Sequence, residues 1–422
     1  PPISANPFSV SMIPITTIQG LSRKEIVELT GCRDVYLWGR GSMLRDVRTS
    51  LRACGLTPAA ILDTGAVPPS GGDLPVLHPA SIINRLWDGE KNLIVIATTT
   101  YRTQAEAMCK QFGLVRGRDF IDYLSISRPV AVVEVSGLGK VFNVAPDHGP
   151  PGFMPLKAFR KVLQKLLQDI PHLSAIELSA GHEPLLNPEI AEIIRETEAR
   201  VPCIVATAFF GGPLERVLLA QPSELQVVVD GIERSLGEAH EAKSDFMRRI
   251  KLLGELQGKI SASTVISVRV HPAKRDTEAG RQTLMALARE AKLELMFCRT
   301  HPVRYDELLR YRETGDITQK GVEVLENLPW DLERIVALCK RDIGLPCLCQ
   351  RVFPIIRWDL SVSLCHVYGR PTIHPNYLEA EWEDLLKTRH SASQCETCQK
   401  HALHRLDLDV LERKYPNETQ QG

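Results

Sequence analysis

Short runs of branched apolar residues alternate along this chain with segments whose apolar positions recur every three or four residues, the periods of strand and helix. The first series begins with "VYLW" at 35–38, followed by a turn and helix in "GRGSMLRDVRTSLRACG". It continues as the strand "AAILD", the helix "ASIINRLWD", the strand "NLIVIATT", the helix "RTQAEAMCKQFG" and finally "RDFIDY". Strands that alternate with helices pair in parallel, because each helix carries the chain back across the sheet. Residues 21–126 are therefore expected to form a Rossmann-like parallel-sheet domain, with 1–20 as a loose arm in front of it.

A second β/α series follows, with strands expected at 130–136, 175–181, 203–210, 225–231, 263–271 and 293–299. Between the first two, "LKAFRKVLQKLLQD" sets Leu156, Phe159, Leu163, Leu166 and Leu167 on one helical face. After the second, Asn187 is a good N-cap and Pro188 suits a first helical position, with Ile190, Ile193, Ile194 and Thr197 facing one way. Units of this kind over 127–320 are too few for the eight-stranded barrel and predict an open partial (β/α)6 barrel. From about Gly344 the pattern changes to a cysteine turn, a short strand, a tight turn and a second strand. A helix, "AEWEDLLKTRH", then leads to "CETC". This predicts a small cysteine-rich domain over 321–405 and a charged tail over 406–422. The fold class is α/β throughout.

At 422 residues the chain has room for two or three cores. Lysine plus arginine equals aspartate plus glutamate at 51 each, a balance that argues against nucleic-acid and membrane-surface partners. No apolar run approaches the roughly 20 residues that span a bilayer. The first twenty residues lack the charged start of a signal peptide, so the cytoplasm is the default location. Of eleven cysteines, Cys32, Cys54, Cys109, Cys203, Cys298 and Cys339 are scattered among apolar neighbours, whereas Cys347, Cys349, Cys365, Cys395 and Cys398 crowd into the last fifth. In a cytosolic chain such a crowd reads as metal or cluster ligation before disulfides.

Three places carry candidate chemistry. Gly39 and Gly41 in "GRGSML" sit where a phosphate loop belongs, and Asp63 ends the next strand, where an acid can bond a ribose hydroxyl. Against that nucleotide-binding reading, the glycines can equally serve the turn alone, and Leu44 stands where a third glycine is usual. Cys395 and Cys398 form a C-x2-C bite that suits one edge of an iron–sulfur cluster or a tetrahedral zinc site. Cys365 and Cys349 lie upstream as if across a hairpin, with Cys347 competing for the first position. The third place is "VVEVSGLGKVFNVAPDHGPPGFM", a strand end opening into a long loop. Its Lys140 follows "GLG" without the G-x-x-x-x-G-K-[ST] pattern of a phosphate-binding loop, which leaves filler over a barrel mouth as the plainer reading.

Taken in order, "PVAVVEVSG", "IELSAGHEPLLNPEIAEII", "LQVVVDG" and "CQRVFPIIRWDLSVSLC…RHSASQCETC" resemble radical S-adenosylmethionine proteins with a C-terminal SPASM domain, over roughly 129–405. The resemblance implies a [4Fe–4S] cluster on Cys349, Cys365, Cys395 and Cys398, with zinc as the alternative. It also implies that Gly181, His182 and Glu183 lie where S-adenosylmethionine would be met, His182 standing in for a small residue. In that family the loop after the first strand carries C-x3-C-x2-C for a second, catalytic cluster. Here the aligned positions are Gly139, Asn143 and Pro146, or Leu138, Phe142 and Ala145 one residue earlier, and 130–160 contains no cysteine. Neither these side chains nor His148 alone can replace three thiolates. Leu360 replaces the glycine of the SPASM hairpin, which implies a changed or strained turn.

The expectation is a degenerate iron–sulfur protein without the catalytic cluster, acting as partner, regulator or nucleotide-responsive scaffold. Two alternatives stand beside it. One is a radical S-adenosylmethionine enzyme acting on a carbohydrate or peptide, with its loop altered in this chain. The other is a protein that binds a nucleotide or sugar-nucleotide through its N-terminal domain. The partners expected are a small-molecule or peptide substrate, or a partner enzyme.

Overall fold

A computed structural model describes residues 23–31, 33–39, 42–64, 74–98, 102–126, 129–139, 141, 151–170, 173–179, 181–208, 214–232, 240–257, 264–271, 276–297, 310–311, 314–316, 318–319, 322, 347, 352–365 and 371–401. The arm at 1–20, the tail at 406–422, Gly41, Cys349, Asn143, Pro146, Phe142, Ala145 and His148 lie outside these residues.

The first sheet holds β1 (Asp34–Trp38), β2 (Ala60–Leu62), β3 (Val76–Leu77), β4 (Asn92–Ile96) and β5 (Phe120–Asp122), ordered β3-β2-β1-β4-β5 and parallel throughout. Helices α1 (Arg23–Thr30), α2 (Ser42–Ala53), α3 (Pro79–Leu86), α4 (Arg102–Gln111) and α5 (Tyr123–Ile126) intervene. Both faces are apolar. Val35, Leu37, Leu93 and Val95 pack with Val47 and Leu51 of α2, and Trp38, Ile94 and Ile96 pack with Ile83 of α3 and Cys109 of α4. Burial on both sides is why these strands read as continuous apolar runs. The sequence pattern misses β3, whose two residues are too few to show a period.

In the second sheet β6 (Val130–Val133), β7 (Ala175–Glu177), β8 (Cys203–Thr207), β9 (Glu224–Asp230), β10 (Val265–His271) and β11 (Glu294–Phe297) lie side by side in chain order, all parallel. Helices α6 (Leu156–Asp169), α7 (Ile190–Glu198), α8 (Leu214–Leu219), α9 (His240–Gln257) and α10 (Glu278–Glu290) cross between them. The apolar faces read from sequence are the buried ones. Phe159, Leu163 and Leu166 of α6 and Ile190, Ile193, Ile194 and Thr197 of α7 are all covered. The N-cap of α7 is Glu189 and not the expected Asn187, which instead pins the turn before the helix. Asn187 Oδ1 accepts from the Glu189 N–H at 2.8 Å while its Nδ2 donates to the Val135 and Met154 carbonyls at 2.8 and 3.0 Å.

The hairpin expected near the C-terminus enters this same sheet. β12 (Val352–Ile356) pairs in parallel with β6, and β13 (Val362–Ser363) and β14 (Thr372–His374) continue antiparallel, making nine strands in all. Helices α11 (Trp382–His390) and α12 (Ser393–Lys400) follow. Several strands end earlier than the apolar runs suggest; the run at 130–136 is ladder only to Val133. Beyond it Ser136 bridges antiparallel to Phe153, so the chain is already turning over the sheet end.

Candidate functional site at the strand ends of the second sheet

Side chains alternate along each strand. Ala131, Val133 and Val135, Ile176 and Leu178, Leu225, Val227 and Val229, and Ile266, Val268 and Val270 all join the core beneath the helices. The opposite face therefore receives Glu134 and Ser136, Glu177 and Ser179, Glu224 and Gln226, and Ser267 and Arg269. Parallel strands are usually buried on both faces, so the polar residues here make this face the candidate site.

At the carboxyl end of β6, Glu134 is fully buried and His182 is 5% exposed. One Glu134 oxygen, Oε1, lies 2.8 Å from His182 Nδ1 and accepts the His182 backbone N–H at 3.2 Å. Ser179 donates to the His182 carbonyl at 3.0 Å, so main chain and ring are both held. The imidazole meets the Trp358 indole edge-on, with centroids 5.2 Å apart. Trp358 also lies against Gly137 and Gly152, where a Cβ would run into the indole ring. Beside it Arg357 donates to Ser363 Oγ at 2.8 Å and to Thr372 Oγ1 at 2.7 Å. Burial pulls its pKa down, against the charges of Asp359 and Glu134.

The loop after β6 is sewn to the end of β7. Leu138 accepts from the Glu183 N–H and Gly181 from the Val141 N–H, each at 2.9 Å. Gly139, at φ +62°, leaves room for the Glu183 and Leu186 side chains. Val141 is buried over Ala206 and Val228, so it covers part of that opposite face. Glu183 is a clamp, its Oε1 accepting from Leu185 N at 3.1 Å and Thr207 Oγ1 at 2.7 Å, and its Oε2 from Ala208 N at 2.9 Å. These residues do not fit a second iron–sulfur cluster. The strand end supplies no thiolate, and an indole fills the space above Gly137 and Gly152.

The C-terminal thiols fit better in chemistry. Cys395 and Cys398 sit one turn apart on α12, the second buried. The Cys395 thiol is pushed up to about 11 by burial first and then by the charge of Cys365, with Cys347 adding and Arg389 opposing. Cys347 and Cys365 thus lie near enough to act on the charge of Cys395, and thiolates are soft donors. Cys347, the competitor of Cys349, is the one seen near it. Among the described residues no three His, Cys, Asp or Glu side chains stand together as a ligand group.

In the first sheet Gly39 has φ +124°, and a Cβ there would meet the Ala97 carbonyl and Thr98 Cβ at 2.9 Å. Close approach of the β1 and β4 ends therefore suffices to require this glycine. Asp63 is 5% exposed at the end of β2. The sequence reading missed Glu134 and Arg269 on this face, and Arg357 and Trp358 beside the end of β6. An acid inside the apolar run "VAVVEVSG" was a usable signal for Glu134; nothing local marked the others.

No protein-family model matches this chain, and no curated protein does. Among solved structures it is similar to Streptococcus suis SuiB bound to precursor peptide SuiA, at 12% identity over 71% of this chain and 70% of that one, with a TM-score of 0.43. SuiB bound to S-adenosylmethionine gives 12% identity, 68% and 69% coverage and a TM-score of 0.41. BtrN in complex with AdoMet and 2-DOIA gives 12% identity, 68% and 92% coverage and a TM-score of 0.35. At these TM-scores the likenesses carry no functional inference. Among the described residues no helix is long and apolar enough to cross a membrane.

Proposed function

We propose that the chain is a degenerate radical-SAM/SPASM-like iron–sulfur protein that holds one cluster through its C-terminal thiols and none at β6. It works as a partner or regulator of another enzyme, or as a nucleotide-responsive scaffold. The observation that carries this reading is the β6 end: a thiol-free loop, clamped to 181–183 and capped by Trp358. Cys365, Cys395 and Cys398 would hold the cluster with Cys349 or Cys347, and the cluster would supply one-electron transfer.

The test is iron, sulfide and zinc per chain on protein purified without oxygen. About four irons with matching sulfide are expected, lost in Cys395→Ala/Cys398→Ala. No 5′-deoxyadenosine should form from S-adenosylmethionine under reducing conditions. About eight irons, or that product, would restore the enzyme reading. Zinc without sulfide would leave a structural clip in place of the cluster.

The nucleotide reading is favoured by one observation of its own. In the order β3-β2-β1-β4-β5 the connections leaving the neighbours β1 and β4 depart to opposite sides, and ligands of doubly wound sheets bind at that switch point. Calorimetry with dinucleotides and UDP-sugars tests it, and absence of heat with the wild type removes it.

A further inference from the structure

Arg389 lies in the last turn of α11, only 6% exposed, on the helix face that Trp382 and Leu385 also use. Its guanidinium carbon stands 4.4 Å from the centre of the Phe353 ring, and Trp382 meets the same ring with centroids 5.7 Å apart. Phe353 is near the start of β12, and antiparallel pairing brings that start beside the end of β13. Cys365 follows β13 by two residues. On the other side, the Arg389 carbonyl takes the Ala392 N–H at 3.3 Å, and the Ala392 carbonyl takes the Cys395 N–H at 2.9 Å. The cation is thus tied to both thiol-bearing segments, by its ring contact to the hairpin and by main chain to α12.

A cation suits the last turn of a helix, and a ring face attracts it, but neither requires burial. Desolvating a guanidinium is costly, and an apolar residue would pack at this position at less cost. The charge itself therefore calls for a use. Burial first and Cys365 next push the Cys395 thiol up, and Arg389 pulls against both, so its charge is felt at that sulfur. Thiolates leave an iron–sulfur centre anionic, and reduction adds a further negative charge, so a fixed cation nearby favours both its assembly and its reduced form. We infer that Arg389, seated on Phe353, is the counter-charge of the C-terminal thiol site and favours binding and reduction of the anionic centre held there. The inference rests on the thiol site of the proposed function and goes beyond it in assigning what sets its affinity and potential.

Three measurements on the full chain test it: iron and sulfide per chain, the midpoint potential from reductive titration, and Cd2+ binding to the metal-free protein, read from thiolate absorption. Arg389→Gln should lower the potential and weaken Cd2+ about tenfold or more, as for one nearby charge removed. Arg389→Lys keeps a charge over the ring and should stay near wild type on both. Phe353→Leu keeps the charge but removes its seat, and should fall between the two. Thermal melting would confirm that each variant folds; should Arg389→Gln fail to fold, Arg389→Met, with a long stem and no charge, carries the same expectation. A wild type without iron and sulfide would overturn the cluster reading, and the Cd2+ titrations would still judge Arg389. Equal potentials and equal Cd2+ affinities in wild type and the neutral variants, or a lysine variant as impaired as the neutral ones, would overturn the assignment.

Discussion

Leu360 holds a left-handed backbone, φ +72°, with a branched hydrocarbon side chain. That conformation costs a non-glycine residue roughly 1–2 kcal/mol, and the turn keeps it because its neighbours leave no choice. Leu360 N–H bonds the Arg357 carbonyl, its own carbonyl takes the Tyr377 N–H, and its side chain packs on the core. Leu360→Gly should therefore melt within about 1 kcal/mol of wild type, relief of strain offsetting lost packing. Leu360→Val should be the worse change, by about 1–2 kcal/mol in denaturant titrations, because a β-branched residue suits φ > 0 least. Gly137 makes the converse case. Gly137→Ala drives a methyl into the Trp358 ring and should cost about 1–3 kcal/mol, with tryptophan fluorescence reporting the displaced indole.

At the scale of elements, the clamp of Glu183 joins the ends of β7 and β8. Glu183→Ala strips three donors of their acceptor and should cost about 2–4 kcal/mol, whereas Glu183→Gln, which keeps one accepting oxygen, should cost less. A second tie fastens α6 to the turn after β14. Tyr377, fully buried, donates to Asp169 Oδ2 at 2.7 Å, and Lys165 reaches the same oxygen at 3.1 Å. Burial, then the bond to Asp169, raises the phenol's pKa above its ordinary 10. The folded chain keeps that proton where the unfolded chain has lost it. The contribution is thus full below pH 10 and drains away as pH climbs beyond it. Stability measured from pH 9 to 11 should fall more steeply for wild type than for Tyr377→Phe; parallel curves would contradict this.

Across the whole molecule, the most consequential contact is the parallel pairing of β12 with β6, residues more than two hundred positions apart in the chain. It delivers Arg357 and Trp358 to the end of β6, where Glu134 and His182 wait. Trp358→Ala should cost about 3–5 kcal/mol through the cavity it leaves. Faster amide exchange should appear at 136–141 and 181–183 together, since one indole supports both. Exchange changes confined to the hairpin would mean that the indole does not couple the two.

What was legible in the residues was local. Periodicity located the βα units of both sheets and the buried faces of α6 and α7, because each depends on neighbours a few positions apart. The strained turn expected at Leu360 was readable for the same reason, and so was the want of thiols after β6. Strand order, the entry of β12 into the second sheet, the Glu134–His182–Trp358 assembly and the seating of Arg389 on Phe353 were decided only by tertiary structure. Each depends on which side chains distant segments bring to one face, and hydrophobic pattern is blind to that. It records that a strand is buried, and carries no mark of the partner that buries it.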